Sequence, residues 1–219
     1  MPPTAVAFDL DDTLAVATRD RQTILSDAAQ AAGAPPLSRE AYLVAHAECL
    51  TEETREPIFA TLLSGQETGA SPAAVAEAYR ELIAEALTPV DSVERLLDDL
   101  RGEYRLGLLT NGPVVAQHDK LRKLDWVGAF DAELVTGSLA AGKPDTRAFE
   151  ALLSELGTAP GETVYVGDDV HADIEGAAGV GITPIQVTFD GSADPHPDAA
   201  ATVDRDALAA TLPDLLRRL

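Results

Sequence analysis

A short apolar run near the N-terminus, Thr4 to Leu10 (TAVAFDL), ends directly in acidic residues and Thr13. The run does not alternate between apolar and polar residues. It therefore predicts a strand buried on both faces, as in a parallel sheet, that leads into a polar loop.

The next stretch, from about Ala15 to Leu87, has a different texture. It is rich in Ala, Glu and Arg, and its apolar residues recur at helical spacing. Ser71 followed by Pro72 is a typical helix start, and Leu82, Ile83, Ala86 and Leu87 fit one helical face. This stretch is predicted to be an all-helical insert that ends near Pro89.

Helix and strand patterns alternate after Pro89. A helix opens with Asp91 as its expected cap and runs to about Leu100. Strands are predicted over 104–109, 134–136, 163–166 and 182–187, helices over 144–156, 174–179 and 206–219, and a loop over 189–201. The predicted fold is α/β: a doubly wound, Rossmann-like parallel sheet (1–14 plus 89–219) with an all-helical domain (15–88) inserted after the first strand.

Three polar clusters follow predicted strands: Asp9 to Thr13, Thr110 to Gly112, and Asp168 to Asp173. Ligands of such sheets bind beyond the carboxyl ends of the strands. We therefore expect the three clusters to form one site.

The first cluster carries two carboxylates, Asp9 and Asp11, that can address one ligand. Phosphoryl transfer needs a nucleophile and a general acid or base, and these two carboxylates can divide the roles. A phosphate dianion will not approach two carboxylates unaided, so a hard divalent cation such as Mg²⁺ is expected. Asp168 is the natural additional metal ligand, and Asp173 is expected to orient it or a bound water.

Other polar residues suit the phosphate itself. Thr110 and Asn111 can donate hydrogen bonds to phosphate oxygens. Lys143, one of only three lysines, stands between a glycine and a proline at a predicted helix start, where its ammonium can neutralise a phosphate oxygen.

Four segments resemble the motifs of the haloacid dehalogenase superfamily, in order and in spacing: FDLDDTL, LLTNG, GKPD and GDDVHADIEGA. The resemblance covers about 1–14 and 89–190. It implies that the helical insert is a cap domain. Asp12 stands where the family often has glycine, although aspartate also occurs there.

The resemblance also implies residue roles. Asp9 would be the nucleophile that becomes phosphorylated and would bind Mg²⁺, and Asp11 would be the general acid and base, with its backbone carbonyl on the metal. Asp168 would be the third metal ligand. The remaining site residues would hold the phosphate or support the ligands, namely Thr110, Asn111 and Lys143 for the phosphate and Thr13 and Asp173 for support.

A phosphatase acting on a small phosphorylated metabolite is the activity that the resemblance favours. A phosphomutase would share the same core. A 2-haloacid dehalogenase is disfavoured because such enzymes replace the second aspartate of the first motif, and Asp11 is present. An inactive scaffold is disfavoured because all catalytic positions are filled. Roles for His171 and for Arg19 and Arg21 near the insert stay open.

The chain is strongly acidic, with 37 Asp and Glu against 16 Lys and Arg and a formal net charge of -21. Such a surface would repel nucleic acid. The acid excess and lysine scarcity are typical of halophilic proteins. The sequence shows no membrane segment, no secretory signal and a single cysteine, Cys49, which predicts a cytoplasmic protein. It carries no signal for oligomeric state.

Overall fold

The computed structural model describes residues 2–219 and is built around a six-stranded parallel sheet. The strands are β1 (Ala5–Phe8), β4 (Arg105–Thr110), β5 (Ala132–Val135), β6 (Thr163–Gly167), β7 (Thr183–Thr188) and β8 (Ala201–Asp204). Their order in the sheet is β5-β4-β1-β6-β7-β8. Strand β1 lies inside the sheet, where Val6 is in register with Leu106 on one neighbour and Val164 on the other.

Helices cover both faces of this sheet, so the prediction of a doubly wound α/β fold is confirmed. Val6 and Phe8 belong to one apolar cluster, whereas Ala5 and Ala7 belong to a cluster on the opposite face, as alternation along a strand requires. The covering helices are α5 (Val93–Arg101), α6 (Val114–Lys123), α7 (Thr146–Leu156), α8 (Gly176–Gly179) and α9 (Leu208–Leu216).

The insert contains four helices with an apolar core of their own. Tyr42, Phe59 and Tyr79 meet at its centre, with ring centroids 5.0–5.8 Å apart. The helices are α1 (Arg21–Ala31), α2 (Arg39–Ala47), α3 (Glu56–Leu63) and α4 (Pro72–Ala86). Asp20 and Ser38 cap the first two through side-chain hydrogen bonds, and Ser71 precedes α4 as expected.

The ends of the insert differ from the sequence prediction, because they are not helical. Strand β2 (Ala15–Ala17) pairs antiparallel with β3 (Leu87–Pro89), which forms a short ribbon where the insert leaves and rejoins the sheet. Both strands are only three residues long, too short to show alternation. Strand β8 lies at the end of the predicted loop over 189–201. The helix cap expected at Asp91 is Ser92, in the left-handed region at φ 63°.

The insert also contacts the sheet domain directly. The backbone N–H groups of Val114 and Val115, at the start of α6, donate to the carbonyls of Glu52 and Glu53 at 3.1 and 3.0 Å. These bonds satisfy two donors that a helix start leaves without intrahelical partners. Gly137 permits the approach, because a Cβ there would lie 2.5 Å from Val114 N and 2.7 Å from Glu52 O.

Salt should stabilise this protein. At a formal net charge of -21, the acidic side chains of the folded protein repel one another in dilute buffer. Added ions screen that repulsion. We expect the melting temperature to be higher in molar KCl than in dilute buffer at the same pH, as a halophilic protein requires. Equal melting temperatures in the two buffers would reject the halophilic interpretation.

None of the helices formed within residues 2–219 has both the length and the apolar character to cross a membrane.

Candidate active site

A cavity of about 530 Å³ lies between the insert and the carboxyl ends of β1, β4 and β6. Sheet-domain residues on its wall include Asp9, Asp11, Thr110, Asn111, Lys143, Asp168 and Asp173. Insert residues on its wall include Arg21, Arg39, Tyr42, His46, Arg55 and Tyr79. The polar clusters predicted to meet at this edge of the sheet therefore do so.

The turn after β1 positions the carboxylates of Asp9 and Asp11. The N–H of Asp9 donates to Val166 O at 2.9 Å, and the N–H of Leu14 closes back on Leu10 O at 3.0 Å. Asp12 adopts φ 60°, a conformation that aspartate tolerates better than most residues and glycine best. This explains why a position often occupied by glycine in the resembled family can hold Asp12.

Lys143 lies at the centre of the site and is only 2% exposed. Its Nζ donates to Asp9 Oδ1 at 2.7 Å, to Asp173 Oδ1 at 2.6 Å and to the Tyr165 hydroxyl at 2.8 Å. Burial alone would lower the pKa of Lys143, but the charges of Asp173 and Asp9 outweigh it and raise the pKa well above its ordinary value. Lys143 is therefore positively charged at neutral pH.

The loop that carries Lys143 is held by Asn111. Asn111 Nδ2 donates to Lys143 O, and Lys143 N donates to Asn111 Oδ1, both at 2.9 Å. Gln117 on α6 donates to Thr110 Oγ1 at 2.6 Å and to Asn111 O at 2.9 Å. Asn111 thus positions the lysine through its backbone.

Three carboxylates form a compact cluster beside Lys143. Oxygens of Asp9, Asp168 and Asp173 all lie within 4.8 Å of one another. Thr13 Oγ1 donates to Asp168 Oδ1 at 3.0 Å. Asp173 was expected to lie behind the ligands, but its carboxylate is part of the cluster. A Cβ on residue 167 would lie 2.3 Å from Asp173 Oδ2, so only glycine admits this approach.

The cluster has too little positive charge for three ionised carboxylates. Burial raises the pKa of Asp9 to about 7. The charge of Lys143 opposes this rise, and the neighbouring carboxylates add to it. Burial, together with Asp173 and Asp9, raises the pKa of Asp168 to about 9. Hard oxygen ligands short of positive charge fit a hard divalent cation, which would favour the ionised forms.

Asp11 faces away from this cluster and toward basic residues. Lys120 Nζ donates to Asp11 Oδ2 at 2.5 Å, and Arg21 donates to Oδ1 at 3.3 Å. Burial would raise the pKa of Asp11, but the charges of Lys120 and Arg21 outweigh it and hold the pKa well below its usual range. Burial lowers the pKa of Lys120 to about 8 despite its contact with Asp11. In this conformation the Asp11 side chain is a carboxylate.

Several residues at the site were missed by the sequence analysis, notably Gln117, Lys120, Arg55 and Tyr165. The scarcity of lysine could have identified Lys120, because two of the three lysines are buried at this cavity. Gln117 lies one helical turn before it. The signal for Arg55 and Tyr165 is absent from their local sequence, because both reach the site only through the packing of distant segments.

The three residues whose roles the sequence left open lie in different surroundings. Arg21 contacts Asp11 and Asp12, whereas Arg19 pairs with Asp27 on the surface. His171 lies at the cavity rim with an exposed side chain and a 2.8 Å contact to Glu175.

The chain is similar to known hydrolases and phosphatases. Residues 3–181 match the profile of the haloacid dehalogenase-like hydrolases. Glyceraldehyde 3-phosphate phosphatase from Methanothermobacter thermautotrophicus is 30% identical over 196 residues, which cover 84% of each chain. Human N-acylneuraminate-9-phosphatase is 36% identical over 96 residues, 44% of this chain and 39% of that protein.

Among solved structures, the HAD-hydrolase YfnB from Bacillus subtilis, crystallised with magnesium, superposes with a TM-score of 0.74. It is 22% identical, over 99% of this chain and 100% of that one, which shows a shared fold. The match to the family profile extends over most of the chain and includes all four motifs. The protein therefore belongs to the haloacid dehalogenase-like hydrolases.

Proposed function

We propose that this hydrolase removes phosphate from a phosphate monoester of a small metabolite through a phospho-aspartate on Asp9, with Mg²⁺ as its cofactor. The observation that carries the proposal is the placement of Asp9. Its carboxylate lies 2.7 Å from the ammonium of Lys143 and within a three-carboxylate cluster, on the wall of the cavity. Similarity to glyceraldehyde 3-phosphate phosphatase over 84% of both chains supports a small phosphorylated substrate.

Asp9 is the nucleophile of the proposed reaction. One carboxylate oxygen forms a bond to phosphorus as the bond from phosphorus to the leaving oxygen breaks, which places the phosphoryl group on Asp9. Water then attacks the same phosphorus, the bond to Asp9 breaks, and phosphate leaves. Splitting the transfer this way gives two easier displacements in place of one.

Asp11 moves the protons. It protonates the leaving oxygen in the first step and accepts a proton from the attacking water in the second. Because its carboxylate is ionised in this conformation, the proton for the first step needs a donor. Lys120 Nζ, 2.5 Å from Asp11 Oδ2, carries that proton, so the acid of the first step is the Asp11–Lys120 pair.

Lys143, Thr110 and Asn111 prepare the site for the phosphate. The Lys143 ammonium neutralises negative charge on Asp9 and on a phosphate oxygen, and it is already fixed by three hydrogen bonds. The Thr110 hydroxyl accepts from Gln117, which leaves its proton free for a phosphate oxygen. Asn111 contributes by holding the backbone of Lys143.

Asp9, Asp168 and the carbonyl of Asp11 would hold Mg²⁺, with Asp173 close enough to join them or orient a bound water. When bound, the ion supplies the positive charge that lets a phosphate dianion approach the carboxylates. The three-carboxylate cluster fits this role, since it otherwise retains protons at neutral pH.

The helical insert, residues 15–88, acts as a cap in this proposal, and the ribbon of β2 and β3 is its hinge. The cap covers the cavity through the contacts of Glu52 and Glu53 with the start of α6. Closure excludes bulk water from the reacting groups, while opening admits the substrate.

Phosphate release from a panel of phosphorylated metabolites, in molar KCl with Mg²⁺ and then with EDTA, tests the proposal. We expect at least one substrate to be hydrolysed with Mg²⁺ and none with EDTA. Transfer of the phosphoryl group within the substrate without phosphate release would favour a phosphomutase. Equal release with EDTA would contradict the metal requirement.

Magnesium should stabilise the protein more as pH rises. Protonation of Asp9 and Asp168, whose pKa values are raised to about 7 and about 9, stabilises the metal-free fold. That contribution is complete below the ordinary pKa of 3.8 and is lost as pH rises through the raised values. Mg²⁺ must displace these protons, so the gain in melting temperature over EDTA should grow from pH 6 to 9. A gain that is constant across this range would contradict the cluster as the metal site.

A further inference from the structure

Arg55 is a buried cation of the insert on the wall of the cavity. It precedes α3 and is 7% exposed. The segment before it is fastened to the sheet domain, because Glu52 O and Glu53 O accept from the start of α6 and Leu50 O accepts from Thr136 Oγ1 at 2.9 Å. The position of Arg55 is therefore fixed relative to the phosphate-binding side of the cavity.

Arg55 differs from the other buried cations of residues 2–219 because it forms no ion pair with any carboxylate among those residues. Within residues 2–219 the buried cations are Arg55, Lys120 and Lys143, and the two lysines each pair with aspartates. Arg55 Nε donates to the Tyr42 hydroxyl at 3.1 Å, its guanidinium lies 5.4 Å from the ring centroid of Tyr79, and its Nη1 has no hydrogen-bond partner in the described chain.

An unpaired buried charge is costly to the fold. The chain has 37 acidic residues, yet the structure of residues 2–219 places none within ion-pair distance of Arg55, whereas Lys120 and Lys143 both have aspartate partners. The guanidinium is suited to planar or tetrahedral oxygen anions, which it binds through two parallel hydrogen bonds. The missing counter-charge is therefore expected to arrive with a ligand.

The residues around Arg55 do not neutralise the charge of its guanidinium. Burial and the charges of Arg55 and Lys120 lower the pKa of the neighbouring His46 to about 3, so His46 is neutral. The charge of Arg55 also helps to lower the pKa of Lys120, which contacts Asp11. Arg55 thus contributes a positive field on the insert side of the cavity, separate from Lys143, which is paired with Asp9 and Asp173.

We propose that Arg55 binds a second anionic oxygen group, a carboxylate or a second phosphate, on the leaving-group side of the substrate. This inference rests on the proposed phosphatase function and narrows its substrate class. Glyceraldehyde 3-phosphate, the compound named for the relative that is 30% identical, has a neutral leaving group and would leave Arg55 without this contact.

Matched substrates test the proposal in the wild-type protein and in Arg55→Gln. The pair 3-phosphoglycerate and glycerol 3-phosphate differs by a carboxylate, and the pair fructose 1,6-bisphosphate and fructose 6-phosphate differs by a second phosphate. For each pair we measure kcat/KM for the compound with the second anionic group and divide it by kcat/KM for the compound that lacks this group. Wild type should prefer the anionic member of one pair, and Arg55→Gln should lower that ratio by roughly 10- to 100-fold, mainly through KM. The pair that responds identifies the anion.

Two further variants guard against a general loss of structure. Arg55→Lys keeps the charge without the paired hydrogen bonds and should retain part of the preference. Arg95→Gln removes an equal charge from the surface of α5, where the side chain is 85% exposed, and should leave the ratio unchanged. A wild-type ratio near one for both pairs, or an equal ratio in wild type and Arg55→Gln, would overturn the proposal.

Binding separates this proposal from the phosphatase activity. The rise in melting temperature caused by each of the four compounds is measured with Mg²⁺ in wild type and Arg55→Gln. If wild type hydrolyses none of them but is stabilised more by an anionic member, and Arg55→Gln loses that difference, the anion site stands. Phosphate release from the wider metabolite panel then decides the phosphatase proposal separately. If no such difference exists in wild type, the anion site is rejected.

Discussion

Asp9→Asn should lower phosphate release by roughly 10⁴- to 10⁶-fold, the range seen when a nucleophile is removed from an enzyme. An amide has the shape of the carboxylate but cannot form the phospho-enzyme, so the first displacement is lost. The measurement is the initial rate of phosphate release with Mg²⁺, in molar KCl, on the best substrate of the panel. The fold should persist, because asparagine removes one of three mutually repelling carboxylates and still offers Lys143 an oxygen acceptor.

The matched control is Asp98→Asn on α5, where the same change falls on a side chain that is 75% exposed. It should keep the wild-type rate. Circular dichroism must show both variants folded. An Asp9→Asn protein that is folded and retains more than about one-hundredth of the wild-type rate would remove Asp9 as the nucleophile, since general acid–base effects alone reach that size.

Lys143→Met should abolish phosphate release and also destabilise the fold. Lys143 is the cation shared by Asp9 and Asp173, so its loss leaves two buried carboxylates without their counter-charge. Breaking a buried pair in this way costs about 3–5 kcal/mol of unfolding free energy. Chemical denaturation at pH 8 measures the loss. Lys123→Met, an exposed lysine at the end of α6, is the control and should change neither stability nor rate by a comparable amount.

The stability lost in Lys143→Met should be partly recovered in acid. Without the ammonium, burial raises the pKa of Asp9 and Asp173 further above their unfolded value of 3.8. Proton binding then favours the folded state, fully below that value and less as pH rises through the folded pKa values. The stability difference from wild type should therefore shrink from pH 8 to pH 5.5. A difference that stays constant or grows in acid would contradict the charge explanation.

The sheet and the meeting of three motifs were predictable because each signal is local. The apolar run Ala5 to Phe8, followed at once by acidic residues, indicates both a buried strand and its ligand-binding end. Strands β2 and β3 were missed because three residues are too few to show a period. Strand β8 was missed because only Val203 of its four residues is buried, so it lacks an apolar run. The cap was predicted at Asp91 and lies at Ser92, because aspartate and serine are both preferred at the N-cap of a helix.

The site was predictable only as far as its motifs extend. The cluster membership of Asp173 depends on the missing Cβ of Gly167, and the turning of Asp11 toward Lys120 depends on how α6 packs against the sheet. Arg55 reaches the cavity through loop contacts between segments far apart in sequence. Such placements are set by tertiary packing, which local spacing does not encode.

In the proposed reaction Asp9 carries the phosphoryl group during turnover. The most direct test of this step is mass spectrometry of peptides from wild-type protein that is acid-quenched during steady-state turnover with Mg²⁺, beside Asp9→Asn treated identically. We expect the peptide containing Asp9 to gain the mass of one phosphoryl group in wild type, located to that residue, and to gain nothing in the variant. Rapid hydrolysis with an unmodified Asp9 peptide, or with the phosphoryl group on another residue, would contradict this step.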